Sequence, residues 1–231
     1  IINHAGDSII CVDLTFVPIL EAIKDKVPSN MKYIIMTDRD HMPDTILENI
    51  LCYEEVLEKG DSNIEWPEFP EETASSLCYT SGTTGNPKGS LYTHRSTVLH
   101  SLTAGISFPE TMRAGVRILP VVPLFHVNAW GLAYAAPLVG ASIIFPGPNL
   151  DGKSIFDLMD SENVFSAWGV PTVWLGLLSE IENRGRIPNG FGEAIIGGSA
   201  VPRYMVESFE RLSVSVCHAW GMTEMSPIGT N

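Results

Sequence analysis

Positive charge is scarce in this sequence. Fourteen lysines and arginines stand against 27 aspartates and glutamates, a formal net charge of −13 over 231 residues. The imbalance is local: residues 1–75 hold 16 acidic and 5 basic side chains, residues 76–231 hold 11 and 9. A nucleic-acid partner needs basic patches that neutralise phosphates, so that class of function is disfavoured. The acidic first third reads as a solvated surface that favours solubility. Cysteine is sparse too. Cys11, Cys52, Cys78 and Cys217 lie far apart and form no Cys-x-x-Cys pair. That argues against a zinc site or a disulfide framework and for reduced thiols in a cytoplasmic protein. Long apolar runs are missing as well. The longest, Gly131 to Phe145, is too short and too broken by glycine and proline for a transmembrane segment. No signal-peptide pattern, internal repeat or low-complexity tract stands out.

What is present is the rhythm of an α/β protein, with 45% hydrophobic and 18% charged residues. Ser8–Val12 and Met31–Met36 read as strands around a helix over Phe16–Lys26. Asp38–Pro43 reads as a polar loop and Cys52–Glu58 as a short helix ended by Gly60. Glu65–Glu72 carries Pro67 and Pro70 among acidic residues and reads as a linker, which divides an acidic α/β part (1–65) from the rest (66–231). Beyond it come strands at Ser76–Tyr79, Val116–Val121, Ala141–Phe145, Phe165–Gly169, Ala194–Ile196 and Val214–Cys217. Helices are expected over Thr93–Ser107, Asn128–Leu138, Ser154–Asp160 and Pro171–Asn183, and after Pro202. This alternation predicts parallel sheets flanked by helices, with ligands bound beyond the carboxyl ends of strands.

The most informative stretch is Tyr79-Thr80-Ser81-Gly82-Thr83-Thr84-Gly85-Asn86-Pro87-Lys88-Gly89. Read as a loop between a strand and the following helix, it can wrap N–H groups and hydroxyls around phosphate oxygens, with Lys88 as a point charge. Glycines let the backbone approach a ligand closely. It is not a Walker A loop, which needs Gly-Lys-Ser/Thr after four intervening residues. A plain surface turn is the competing reading.

In that residue order the loop resembles the phosphate loop of the adenylate-forming (AMP-binding) superfamily. Pro123-Leu124-Phe125-His126-Val127-Asn128-Ala129-Trp130 and Trp220-Gly221-Met222-Thr223-Glu224 match further family motifs in the right order. The likeness is nearest to medium- and long-chain fatty acyl-CoA synthetases. It implies an acid–CoA ligase that uses ATP, Mg²⁺ and coenzyme A, with a small-molecule carboxylic acid as partner. Under it Thr80, Ser81, Gly82, Thr83, Thr84, Gly85 and Lys88 hold the β- and γ-phosphates, and Thr223 contacts the α-phosphate. Thr80 and Glu224 ligate the metal. Gly198, Ser199 and Ala200 lie against adenine and the acyl group, and Ala219, Trp220, Gly221 and Met222 complete the nucleotide site. Trp220 replaces a more usual tyrosine and still offers a stacking face.

His126 is placed beside the reacting carboxylate, against the alternative of a core histidine. Trp130 gates the acyl tunnel or packs the core; on one helix it would share a face with His126. Lys88, His126, Thr223 and Glu224 are thus the expected catalytic set. The apolar, small-residue segment Val127–Leu138 suits an aliphatic tail and disfavours an amino-acid substrate. Short thioether or aryl acids fit the same composition, and a non-catalytic nucleotide- or acyl-binding module is the alternative of a different class. A homodimer is left open. The resemblance further implies an internal part of the large domain, without the ribose-binding aspartate, hinge and C-terminal domain that follow in the family.

Overall fold

The computed structural model describes residues 1–82 and 85–231. The chain divides into two compact units, Ile1–Glu68 and Phe69–Asn231. In the first, helix α1 (Ile2–Ala5) precedes strand β1 (Ile9–Val12), helix α2 (Val17–Ile23), strands β2 (Lys32–Ile35) and β3 (Ile50–Cys52), and helix α3 (Tyr53–Glu58). The three strands form one parallel sheet in the order β1-β2-β3. Asp13 starts the α2 region by accepting the Thr15 N–H at 2.8 Å, and Pro18 sits in the first helical turn, where its missing N–H costs nothing. Val12, Val17, Leu20, Met31, Tyr33, Ile35 and Leu47 bury a single core. β3 escapes the sequence reading because three residues running straight into a helix give too little period-2 signal.

The second unit opens with β4 (Ala74–Thr80) and β5 (Lys88–Thr93), an antiparallel pair in which Thr80 faces Lys88. Here the structure corrects the expectation of a loop running from strand to helix: strand β5 stands between the hydroxyl-rich segment and the helix and pairs back onto β4. In β5, Ser90 and Tyr92 turn inward while Gly89 and Leu91 are exposed, a two-residue period too short to stand out beside Gly89. Helix α4 (His94–Ser107) then starts where expected, because Thr93 and Ser96 form a reciprocal capping box.

After β6 (Arg117–Pro120) the predicted helix over Asn128–Leu138 is in fact broken. The single turn α5 (Val127–Trp130) is left-handed, with φ of 46°, 49°, 50° and 57°, and the chain resets at Gly131 into the right-handed α6 (Leu132–Val139). His126 and Trp130 therefore do not share the face of one right-handed helix. Next come β7 (Ser142–Ile143), α7 (Gly152–Glu162), β8 (Ser166–Gly169), α8 (Pro171–Arg184), β9 (Glu193–Ile196), α9 (Arg203–Arg211) and β10 (Ser215–His218). A last antiparallel pair, β11 (Trp220–Gly221) and β12 (Ile228–Thr230), was not anticipated.

The main sheet has the order β10-β9-β8-β6-β7, parallel throughout. It is buried on both faces, as parallel sheets are. Leu119, Ala167, Ala194 and Ile196 face a cluster with Ile155, Phe156, Trp174, Leu177 and Phe209 from α7, α8 and α9. Their sequence neighbours Ile118, Trp168 and Ile195 face the opposite cluster, with Ala104 of α4 and Leu132, Ala135 and Ala136 of α6. Parallel sheets flanked by helices are thus the architecture, as the sequence predicts.

Candidate active site

Three backbone carriers make up the candidate site. β4 ends at Thr80, half-buried, and its partner Lys88 opens β5 with an exposed side chain. Between them Ser81 and Gly85 are exposed and Gly82 is half-buried; Thr83 and Thr84 lie outside the described residues. β4 packs against the short turn Thr223–Met225, which carries Glu224. A buried tyrosine that the sequence reading passed over makes the tie: the Tyr92 hydroxyl donates to the Thr223 carbonyl. Burial foremost, then the fields of Cys78, Glu224 and Tyr134, push the Tyr92 phenol well above its ordinary value, so it remains a donor. Thr223 is buried, whereas Glu224 is exposed.

The second carrier is the left-handed turn. Its Asn128 side chain accepts from the Cys78 thiol at 3.5 Å, joining β4 to the Pro123–Trp130 segment, and burial raises the Cys78 thiol. His126 precedes the turn with its side chain exposed, its backbone N–H donating to Pro123 O at 3.0 Å. Trp130 points the other way. It is 8% exposed and lies 6.5 Å from the Trp168 ring. A Cβ on Gly197 would sit 3.1 Å from its ring edge, and one on Gly198 3.8 Å away. Trp130 therefore forms a wall beneath the strand-end glycines and is packed like a core residue.

Those glycines belong to the third carrier, the carboxyl ends of β8, β9 and β10. Gly197 N–H bonds Gly169 O at 3.2 Å and Ala219 N–H bonds Ile196 O at 2.9 Å, so the chain segments after the strands are laced side by side. Only glycine fits at 197, since a Cβ there would meet Ala219 O at 2.8 Å. Gly198, Ser199 and Ala200 then emerge exposed, Ala219 is buried, and Trp220, Gly221 and Met222 are exposed. Trp220 is 56% exposed. Chemically, the described residues offer the Thr80 and Ser81 hydroxyls with Lys88 paired opposite Thr80, a carboxylate on the adjoining turn, and a glycine-lined strand end followed by an exposed tryptophan.

His100 was also missed. It sits on α4 at the spacing of buried Ala104, and its Nε2 accepts the Ile228 N–H at 3.1 Å. Its half-buried ring is held neutral by burial, which lowers its proton affinity.

Gly197–Ala200 and Ala219–Met222 follow β9 and β10 of the parallel sheet, on the side where α/β proteins bind ligands. The chain belongs to the AMP-binding enzyme family, which it matches over residues 1–231. It is 47% identical over its whole length to a medium-chain-fatty-acid–CoA ligase of Ectopseudomonas oleovorans, covering 42% of that protein. It is 45% identical, again over its whole length, to a 3-methylmercaptopropionyl-CoA ligase of Ruegeria lacuscaerulensis, covering 43% of it. The chain thus spans about two-fifths of the length of the curated relatives it matches. Among solved structures, an anthranilate CoA ligase in complex with anthranoyl-AMP superposes with a TM-score of 0.83 over 98% of this chain and 43% of that one. At 20% identity this likeness speaks for the fold.

Proposed function

We propose that this chain supplies the nucleotide- and acid-binding part of an ATP-dependent acid–CoA ligase acting on a medium- or long-chain fatty acid. The observation that carries the reading is the tie between the phosphate hairpin and the Thr223–Glu224 turn, in a chain whose relatives are named as CoA ligases. In the first half-reaction a carboxylate oxygen of the acid attacks the α-phosphorus of ATP. The bond to the bridging oxygen breaks, and acyl-adenylate and pyrophosphate result. In the second, the thiol of coenzyme A attacks the acyl carbonyl, forming the thioester and expelling AMP.

The chain's own groups answer the main obstacle, crowded negative charge. Hairpin N–H groups, the Thr80 and Ser81 hydroxyls and Lys88 hold the β- and γ-phosphates, while Thr223 meets the α-phosphate. Trp220 stacks on adenine, with Gly198, Ser199 and Ala200 along its edge and Ala219, Gly221 and Met222 completing the site. His126 stands beside the reacting carboxylate, and Trp130 bounds the acyl tail.

A magnesium ion fits the donor set, because Thr80 and Glu224 offer hard oxygen ligands on elements that pack together. Among the described residues no group of three or more His, Cys, Asp or Glu gathers, so phosphate oxygens and water would supply the remaining ligands. Bound there, the ion would neutralise phosphate charge. We place the protein in a reducing compartment such as the cytoplasm, in keeping with four free thiols. Light scattering on the whole protein tests for a homodimer. Acid-dependent ATP–pyrophosphate exchange across a chain-length series, with 3-methylmercaptopropionate as the short thioether competitor, tests the reaction. Exchange with fatty acids and thioester formation are expected; exchange with none of the acids would overturn the proposal.

A further inference from the structure

We propose that Tyr92 and His100 are positioning residues, a two-point clamp that fastens the hairpin carrying Trp220–Glu224 to the strand–helix unit that follows the phosphate loop. The inference rests on the reading that these elements bind ATP, and it extends that reading to two residues outside its motifs. Both lie on one continuous piece of chain. β5 runs into α4 through the Thr93–Ser96 capping box, which fixes Tyr92 and His100 relative to each other and to the base of the phosphate hairpin.

One anchor holds the turn that connects the arms of the β11–β12 hairpin, and the other holds its second arm. At one end the Tyr92 hydroxyl donates to the Thr223 carbonyl, inside the turn that bears Glu224. At the other, His100 Nε2 accepts the Ile228 N–H at 3.1 Å. Because Nε2 is the acceptor, the ring proton sits on Nδ1 and the ring is neutral. The second anchor reaches the same turn through the ladder. Ile228 faces Gly221, Pro227 O accepts the Met222 N–H at 3.0 Å, and Met222 O accepts the Met225 N–H at 2.9 Å.

The ring of His100 is also wedged. A Cβ on Gly131 would come within 2.6 Å of its Cε1, so the chain entering α6 backs the imidazole from that side. Tyr92, His100, Tyr134 and Pro227 line a narrow crevice where these elements meet. With both bonds in place the exposed Glu224 has a fixed base. With either bond removed, the turn keeps its sequence and loses one support, so the phosphate-side groups still bind but in a wider spread of positions.

The test uses the whole protein and four variants: Tyr92→Phe, His100→Ala, His100→Gln, and Tyr92→Phe with His100→Ala. Hydrogen–deuterium exchange in the segment 222–230 is read first, with segments 166–169 and 193–196 as an internal check that the sheet is intact. Tyr92→Phe and His100→Ala are each expected to speed exchange in 222–230 alone, and to raise the KM for ATP about fivefold. The KM for the acid should stay within about twofold. His100→Gln keeps an acceptor and is expected to restore both readouts toward wild type, and the double variant to exceed either single one.

Unchanged exchange in 222–230 for both single variants would overturn the clamp. So would His100→Gln behaving like His100→Ala, or a rise in the acid KM in place of the ATP KM. If the wild-type protein catalysed no exchange with any acid, the proposed activity would fall. The hydrogen-exchange comparison would still decide whether the clamp exists.

Discussion

Replacing Gly221 by alanine is a severe test of the site, because the obstacle is backbone and cannot swing aside. A Cβ at this position would lie 2.2 Å from Pro227 O and 3.0 Å from Ile228 Cα. Non-bonded carbon contacts become favourable only near about 3.5 Å, so the two arms must separate by roughly 1 Å. The Met222 N–H to Pro227 O bond, now 3.0 Å, would stretch out of bonding range. One hydrogen bond worth about 1 kcal/mol and an overpacking strain of about 1–3 kcal/mol together predict a loss of roughly 2–4 kcal/mol. The loss is confined to the hairpin, so the main sheet should remain folded while Trp220 and Glu224 move apart from their present setting.

Urea unfolding gives the stability change, and ATP–pyrophosphate exchange gives the site's response, expected as a raised ATP KM. Gly105→Ala is the matched control. Gly105 lies inside α4, where an added Cβ meets only Val139 Cγ1 at 3.7 Å, and alanine should stabilise that helix by about 0.5–1 kcal/mol. A Gly221→Ala protein with wild-type stability and an unchanged ATP KM would refute the idea that close backbone approach at this position holds the site.

Lys88→Ala removes an exposed charge at the base of the phosphate hairpin and should lower ATP–pyrophosphate exchange about tenfold or more, with stability within about 0.5 kcal/mol of wild type. Unchanged exchange would take Lys88 out of the phosphate site. Trp130→Ala opens a void against Trp168 and the strand-end glycines and should cost about 3–5 kcal/mol in urea unfolding. If Trp130 also bounds the acyl tail, the chain-length optimum shifts; a uniform fall at every length would leave it a packing residue alone. His100 is held below its ordinary value of 6.5 by burial. Its contribution should be complete above about pH 6.5 and be lost as pH falls through the lower folded value, since only the neutral ring accepts the Ile228 N–H. The titratable groups facing it are Tyr92 from β5 and Tyr134 from α6, with no carboxylate, lysine or arginine among the described crevice residues. Urea midpoints between pH 7 and 5 should drop in wild type and stay flatter in His100→Gln.

The parallel α/β frame was legible because each strand of the main sheet carries enough apolar residues to show, and because Pro171 and Thr93 mark helix starts by local chemistry alone. The three motifs were legible from residue order. What escaped depended on pairing partners distant in sequence. β5 is defined by β4, and β11 is a strand only because Ile228–Thr230 returns to pair with it. Of Val127 to Trp130 only Asn128 favours the left-handed region, too little to announce four successive positive φ values and a reset at Gly131. Tyr92 and His100 looked like ordinary strand and helix residues. Their importance lies in a carbonyl and an N–H more than a hundred residues away.

The left-handed turn also bears on how this chain can change length. Four successive residues with side chains, Val127 to Trp130, hold positive φ, each at about 1–2 kcal/mol above the right-handed form. Such a turn persists only where its surroundings over-determine it: Cys78 against Asn128 on one side, and Trp130 under Gly197 on the other. Surface loops absorb insertions and deletions with little penalty, but this connection has no slack. One residue added or removed between His126 and Gly131 would carry the indole off its glycine seat and leave Asn128 out of register with the thiol. Among chains of this fold, gaps should accumulate in connections such as Gly147–Asp151 and be absent from this one.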